Sequence, residues 1–108
     1  MSSSQIHVSV LVHPAPGKEA SVREIFTTLA QKVQENEPGV LKYQFFEQYD
    51  AAEGKNAFVV QEIYKDQAAL DAHHTAEHYK AAGQQMGGLV SAPFDVRKVK
   101  PFAGFESR

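Results

Sequence analysis

Apolar and polar residues alternate from Ile6 to Val12, with Ile6, Val8, Val10 and Val12 on one side and His7, Ser9, Leu11 and His13 on the other, which predicts a strand. Pro14, Pro16 and Gly17 end it. Val22, Ile25, Phe26, Leu29 and Val33 then recur at spacings of three and four and predict a helix over about Lys18 to Asn36. Pro38-Gly39 breaks the chain. The strand after it places Leu41, Tyr43, Phe45 and Tyr49 on one face and Val40, Lys42, Gln44, Phe46 and Gln48 on the other. A turn over Ala51 to Asn56 leads into Ala57 to Tyr64, whose β-branched and aromatic content predicts the second arm of a hairpin. Asp66 is placed to cap a helix over Gln67 to His73 that continues to Met86, with a restart near Thr75 and an end at Gly83 or Gly87-Gly88. Pro93 to Lys100 predicts a last strand, with Phe94 and Val96 opposite Asp95, Arg97 and Val99.

The order β-α-β-β-α-β predicts an α+β, ferredoxin-like fold, with two helices on one face of a four-stranded antiparallel sheet. Such helices leave the second face uncovered. A second copy whose sheet faces the first would bury that surface, so a homodimeric α/β barrel enclosing a small-molecule chamber is expected. The chain reads as one domain over residues 1–108, with a core of about 5–100 and a tail, 101–108, whose Phe102 and Phe105 can cross to the partner.

Composition narrows the function. An apolar fraction of 43% and a charged fraction of 22% are those of an ordinary globular domain. A net charge of −2 with no basic stripe argues against a nucleic-acid partner. The chain lacks cysteine, which removes disulfides, thiolate metal sites and thiol nucleophiles together. The start, Met1 to Gln5, has no basic and apolar targeting segment, and no run suits a membrane helix; the expected location is cytoplasmic. No phosphate loop, nucleotide fingerprint or metalloprotease motif occurs, so no cofactor is expected.

The run Phe58-Val59-Val60-Gln61-Glu62-Ile63-Tyr64-Lys65-Asp66-Gln67-Ala68-Ala69-Leu70-Asp71-Ala72-His73, followed by Thr75-Ala76-Glu77-His78-Tyr79, resembles the antibiotic-biosynthesis-monooxygenase family. Pro16-Gly17, Pro38-Gly39 and Ser91-Ala92-Pro93 extend the resemblance over nearly the whole chain. It implies cofactor-independent oxygenation of a small quinol, phenol or polyketide-like aromatic. Similar proteins degrade haem or isomerise a phosphorylated signalling sugar, so the resemblance implies a pocket before it implies a substrate. The family's glutamate at the end of the third strand falls on Glu62, and its two helix histidines fall on His73 and His78. This chain has no Trp, and its two asparagines, Asn36 and Asn56, fall near turns, whereas polyketide-oxidising and haem-degrading members associate oxygenation with a pocket Trp and Asn. That difference favours the alternative of a non-oxygenase, either an isomerase or a stress-response ligand-binding protein.

Among these residues His78 is the expected general base, because an imidazole titrates near neutral pH, with His73 and Glu62 orienting it or the substrate. A separation of five is a poor fit to one face of an unbroken helix, so both histidines reach one cavity only if the helix breaks near His74 or Thr75. The competing reading makes them structural, and makes Glu62 a strand-end ion pair or cap. His74 and His78 have the spacing of a metal pair but no third ligand, and no metal site is expected. His7 and Ser9 are expected in the wet chamber between sheets, since polar groups packed on hydrocarbon would cost about 1–3 kcal/mol each. Tyr43, Phe45 and Tyr64 are candidate substrate walls that burial in a core explains equally well.

Overall fold

The computed structural model describes residues 4–108; Met1 to Ser3, part of the start read above for targeting signals, lie outside them. Strand β1 (Ile6–Val12) leads to helix α1 (Glu19–Asn36), strands β2 (Val40–Glu47) and β3 (Phe58–Tyr64) form a hairpin, and helices α2 (Gln67–Thr75) and α3 (Glu77–Gln85) precede strand β4 (Asp95–Val99). Every pairing is antiparallel and the strand order is β2-β3-β1-β4, the expected ferredoxin-like arrangement.

The alternation in β1 buries Val8, Val10 and Val12 beneath the helices, beside Phe58, Val60 and Tyr64 of β3. Helix α1 lays Val22, Phe26, Leu29 and Val33 on them, and Leu70, Ala82 and Met86 close the cluster. Burial of each large side chain contributes roughly 1.5–3 kcal/mol, so this face carries most of the folding energy. Phe26 also packs on Phe45 at 4.7 Å between ring centres and edge-on to Phe58 at 5.9 Å.

Two details depart from the simple pattern. The β2–β3 register passes from Val40↔Tyr64 to Lys42↔Ile63, so Leu41 is the extra residue of a bulge. The bulge returns Val40 to the face of Tyr43 and Phe45, against the core, and leaves Leu41 half exposed, the reverse of strict alternation. Tyr49 lies beyond the strand and is 93% exposed. The second helical stretch is divided at Ala76, whose backbone is extended (φ −68°, ψ 142°). Helix α3 runs through Gly83, and the following turn uses Gly88 at φ 77°.

The opposite sheet face lies away from the helices and is banded. Register aligns Phe46, Val59, Leu11 and Asp95 in one row, Gln44, Gln61, Ser9 and Arg97 in the next, and Lys42, Ile63, His7 and Val99 in the third. The middle row is wholly polar, and Gln61 Nε2 donates to Ser9 Oγ at 3.2 Å. Phe102 and Phe105 of the tail are largely exposed. No helix among the described residues is long and apolar enough to cross a membrane.

Candidate functional site

The covered face is not filled completely. A cavity of about 110 Å³ remains between sheet and helices, with apolar walls from Val8, Val60, Leu70 and Phe94 and polar groups from Tyr43, Glu62, His73, His74, Tyr79 and Lys98. A wider groove of about 370 Å³ between α1 and β2 shares Phe26, Tyr43 and Phe45 with it. The cavity is smaller than the roughly 300–1,000 Å³ of common ligand sites, so it suits the reacting end of a molecule whose body lies in the groove. One chain bounds it. This cavity lies between sheet and helices, where Tyr43 and Phe45 of β2 and Phe58 and Tyr64 of β3 face the core, while Phe46 lies on the opposite face, the side on which a chamber between two facing sheets is expected.

A carboxylate organises the polar wall. Pro38 bars Glu37 from helical backbone, and Glu37 ends α1 at φ −126°, ψ 79° with its side chain 8% exposed. The turn lies tight against α2: a Cβ on Gly39 would stand 2.7 Å from Ala69 Cβ, and Lys65 N donates to Gly39 O at 2.9 Å. Glu37 Oε1 is 2.9 Å from His73 Nδ1, and its other oxygen contacts His78 Nε2. On a continuous helix two residues five apart diverge by about 140°. The break at Ala76, with Ala76 N donating to His73 O at 3.2 Å, brings both imidazoles to one carboxylate.

His73 is 1% exposed and ringed by Tyr79, Tyr43 and Tyr64 at 4.7, 5.2 and 5.5 Å between ring centres. Its Nε2 faces the Tyr43 hydroxyl at 3.5 Å. Burial lowers the His73 pKa, opposed by the charge and hydrogen bond of Glu37. Burial likewise raises Glu62, against the stabilising hydrogen bond donated by the Tyr64 hydroxyl. Tyr43 and Tyr64 are pushed well above the usual phenol range, first by burial and then by the Glu62 charge, so both remain hydrogen-bond donors at neutral pH.

The structure gathers His73, Glu62, Tyr43 and Phe45 on this cavity. Tyr64 stands behind it, fully buried, in contact with Glu62 and His73. His78 is displaced: it contacts the far side of Glu37 and lines a separate groove between α1 and α3. His7 and Ser9 occupy the opposite sheet face, where strand alternation separates them from Val8 and Val10 of the cavity wall. His74 lines the cavity while His78 does not, and among the described residues no three His, Asp or Glu converge as metal ligands do. Glu37, Tyr79 and Lys98 escaped the sequence reading. A glutamate at a helix C-terminus opposes the helix dipole, and that misplaced charge was the available signal for Glu37.

The sequence profile of the antibiotic biosynthesis monooxygenase family matches residues 5–85. The chain belongs to this family. A candidate antibiotic biosynthesis monooxygenase of Caulobacter crescentus CB15 shares 30% identity over 93% of this chain and 92% of its own, with a TM-score of 0.80. A Mycobacterium tuberculosis protein shares 25% identity over 95% of this chain and all of its own, also at 0.80. A Bacteroides thetaiotaomicron protein, at 18% identity and a TM-score of 0.83 over the full length of both chains, shows the same fold. No curated protein matches the sequence. The family match covers Glu37, Glu62, His73 and His78, and ends before the Lys98 strand.

Proposed function

We propose that this member of the antibiotic biosynthesis monooxygenase family oxygenates a small quinol or phenol without a cofactor, with His73 as the base that takes the substrate proton. The observation that carries the proposal is the placement of His73: buried on the cavity wall, with Nδ1 against Glu37 and Nε2 toward Tyr43. An Nδ1–H donated to the carboxylate fixes the tautomer and leaves the Nε2 lone pair on the side of the Tyr43 hydroxyl. Burial keeps the ring neutral, which is the state a base requires. Lys98 sets an ammonium on the cavity wall, suited to the phenolate that deprotonation creates. That anion can itself reduce dioxygen, one oxygen atom ending in a quinone product and the other in water. Glu62 and the Tyr43 hydroxyl, both on the cavity wall, orient the substrate by hydrogen bonding.

The homodimer enters the same reading. Phe46 and Val99 leave nearly half their surface open on the uncovered sheet face, and a second copy is the cover we infer for it, checked by mass in solution.

Oxygen uptake by purified protein over a panel of quinols and naphthols, with a chelator present, tests the function. Uptake stoichiometric with substrate is expected, falling about 100-fold or more in His73→Ala. Unchanged uptake in His73→Ala overturns the assignment of the base. Proton migration next to a carbonyl without oxygen consumption would establish the isomerase reading, favoured by the absence of Trp from the chain.

A further inference from the structure

We infer that His73, Glu37 and His78 form a proton relay joining the cavity at His73 to solvent in the groove between α1 and α3. A structural role needs less than is present. One acceptor satisfies the buried Nδ1 of His73, and Glu37 Oε1 supplies it at 2.9 Å. The second carboxylate oxygen contacts another histidine, brought there only by the break at Ala76. His78 leaves 18% of its side chain exposed and lines a groove of about 180 Å³ with Ile25, Lys32, Ala81 and Gln85. The three groups thus run from a histidine 1% exposed to one that meets water.

The relay rests on the reading of His73 as the base for a ligand in the cavity. Such a base must lose the proton it gains; with the ligand on the Nε2 side, the contact left to the ring is its Nδ1 with Glu37 at 2.9 Å. A proton bound at His73 Nε2 releases the Nδ1 proton to Glu37, whose Oε2 lies 3.2 Å from that nitrogen and contacts His78 Nε2. His78, in the tautomer with its own proton on Nδ1, accepts at Nε2 and gives the Nδ1 proton to groove water. Each step breaks one N–H or O–H bond as the next forms, and no charge accumulates. A return of both imidazoles to the tautomer protonated on Nδ1 resets the path. The groups facing it are His74, Tyr43, Tyr64 and Tyr79 around His73, and Lys32 beside His78 in the groove.

Exchange of the His73 ring N–H with water, followed by NMR in 15N-histidine-labelled protein without substrate, reads the relay directly. His78→Gln keeps an amide that can donate to Glu37 but carries no proton onward. Exchange should slow about tenfold or more in this variant and recover when imidazole is added to the buffer. His78→Asn serves the same comparison should the glutamine variant fail to fold. Equal rates in wild type and in the variant that folds overturn the relay, and so does slowing that imidazole does not reverse, since the slowing then does not come from the missing His78 ring. Oxygen uptake by His73→Ala judges the catalytic reading separately, because the exchange measurement involves no turnover.

Discussion

The two faces of the sheet are built from the same strands in the same register, yet a polar residue has different consequences on each. On the covered face, Glu62, Tyr43 and His73 are set in hydrocarbon, where every donor and acceptor has to find a protein partner, and among the described residues every buried side-chain polar atom has one. On the open face, Gln44, Gln61, Ser9 and Arg97 cross the sheet as a band that water can reach. Leaving a buried group unpaired costs about 1–3 kcal/mol, whereas a group that water can reach loses little. Polarity within a strand therefore marks a site only where the fold withholds water, and the partner that answers it can come from a distant turn, as Glu37 does.

The comparison breaks most visibly at Glu37. Glu37→Ala deprives His73 and His78 of their shared acceptor and is expected to cost about 2–4 kcal/mol in urea unfolding, because removing one partner of a buried polar set leaves the others uncompensated. A loss below about 0.5 kcal/mol would mean that the imidazoles find water, and the contrast between faces would fail.

Gly39 tests how that carboxylate is held. Gly39→Ala should cost about 1–3 kcal/mol, since the new methyl would stand 2.7 Å from Ala69 Cβ and push the Glu37 turn away from α2. Adding Ala69→Gly removes the obstructing methyl, and the double variant should recover most of the lost oxygen uptake despite the cost of a helical glycine. Failure of that rescue would separate the turn from the site.

Much of this was legible in the chain. The valines of β1, the apolar face of α1, the Asp66 cap, which accepts from Ala69 N at 2.9 Å, and a break between His73 and His78 all follow from local periodicity and punctuation. The site was legible only in part. Glu62 and His73 line the cavity between sheet and helices, whereas His7 and Ser9 lie on the opposite face, because alternation says which residues share a face and not which face the helices choose. The Leu41 bulge inverts that alternation at the start of β2. Glu37 meets His73 across 36 positions, a pairing that no local pattern encodes.

Acid sharpens the comparison with a smaller effect. The pKa of His73 lies below its ordinary value of 6.5, so the unfolded chain takes up this proton first. Its contribution is intact above about pH 6.5 and is lost as the pH falls from there toward the folded value. Glu62 works in the opposite sense: with its pKa raised above 4.5, the folded state holds a proton that the unfolded chain has released, and this stabilisation is lost as the pH rises above 4.5. Melting temperatures between about pH 7.5 and 5.5 should fall more steeply in wild type than in His73→Gln, which has no proton to gain there. Parallel curves would place the acid sensitivity elsewhere.

The smallest effect is expected from the open face. Ser9→Ala deletes the acceptor of the 3.2 Å bond from Gln61, but that amide lies in a polar row that water reaches, so it exchanges one partner for another. Stability should change by about 0.5 kcal/mol or less, and oxygen uptake should stay at the wild-type level, since Val8 and Val10, not Ser9, face the cavity. The second copy inferred above then meets this polar band through water, and a loss above about 1.5 kcal/mol that grows as the protein is diluted would show instead that the two copies pack dry across it.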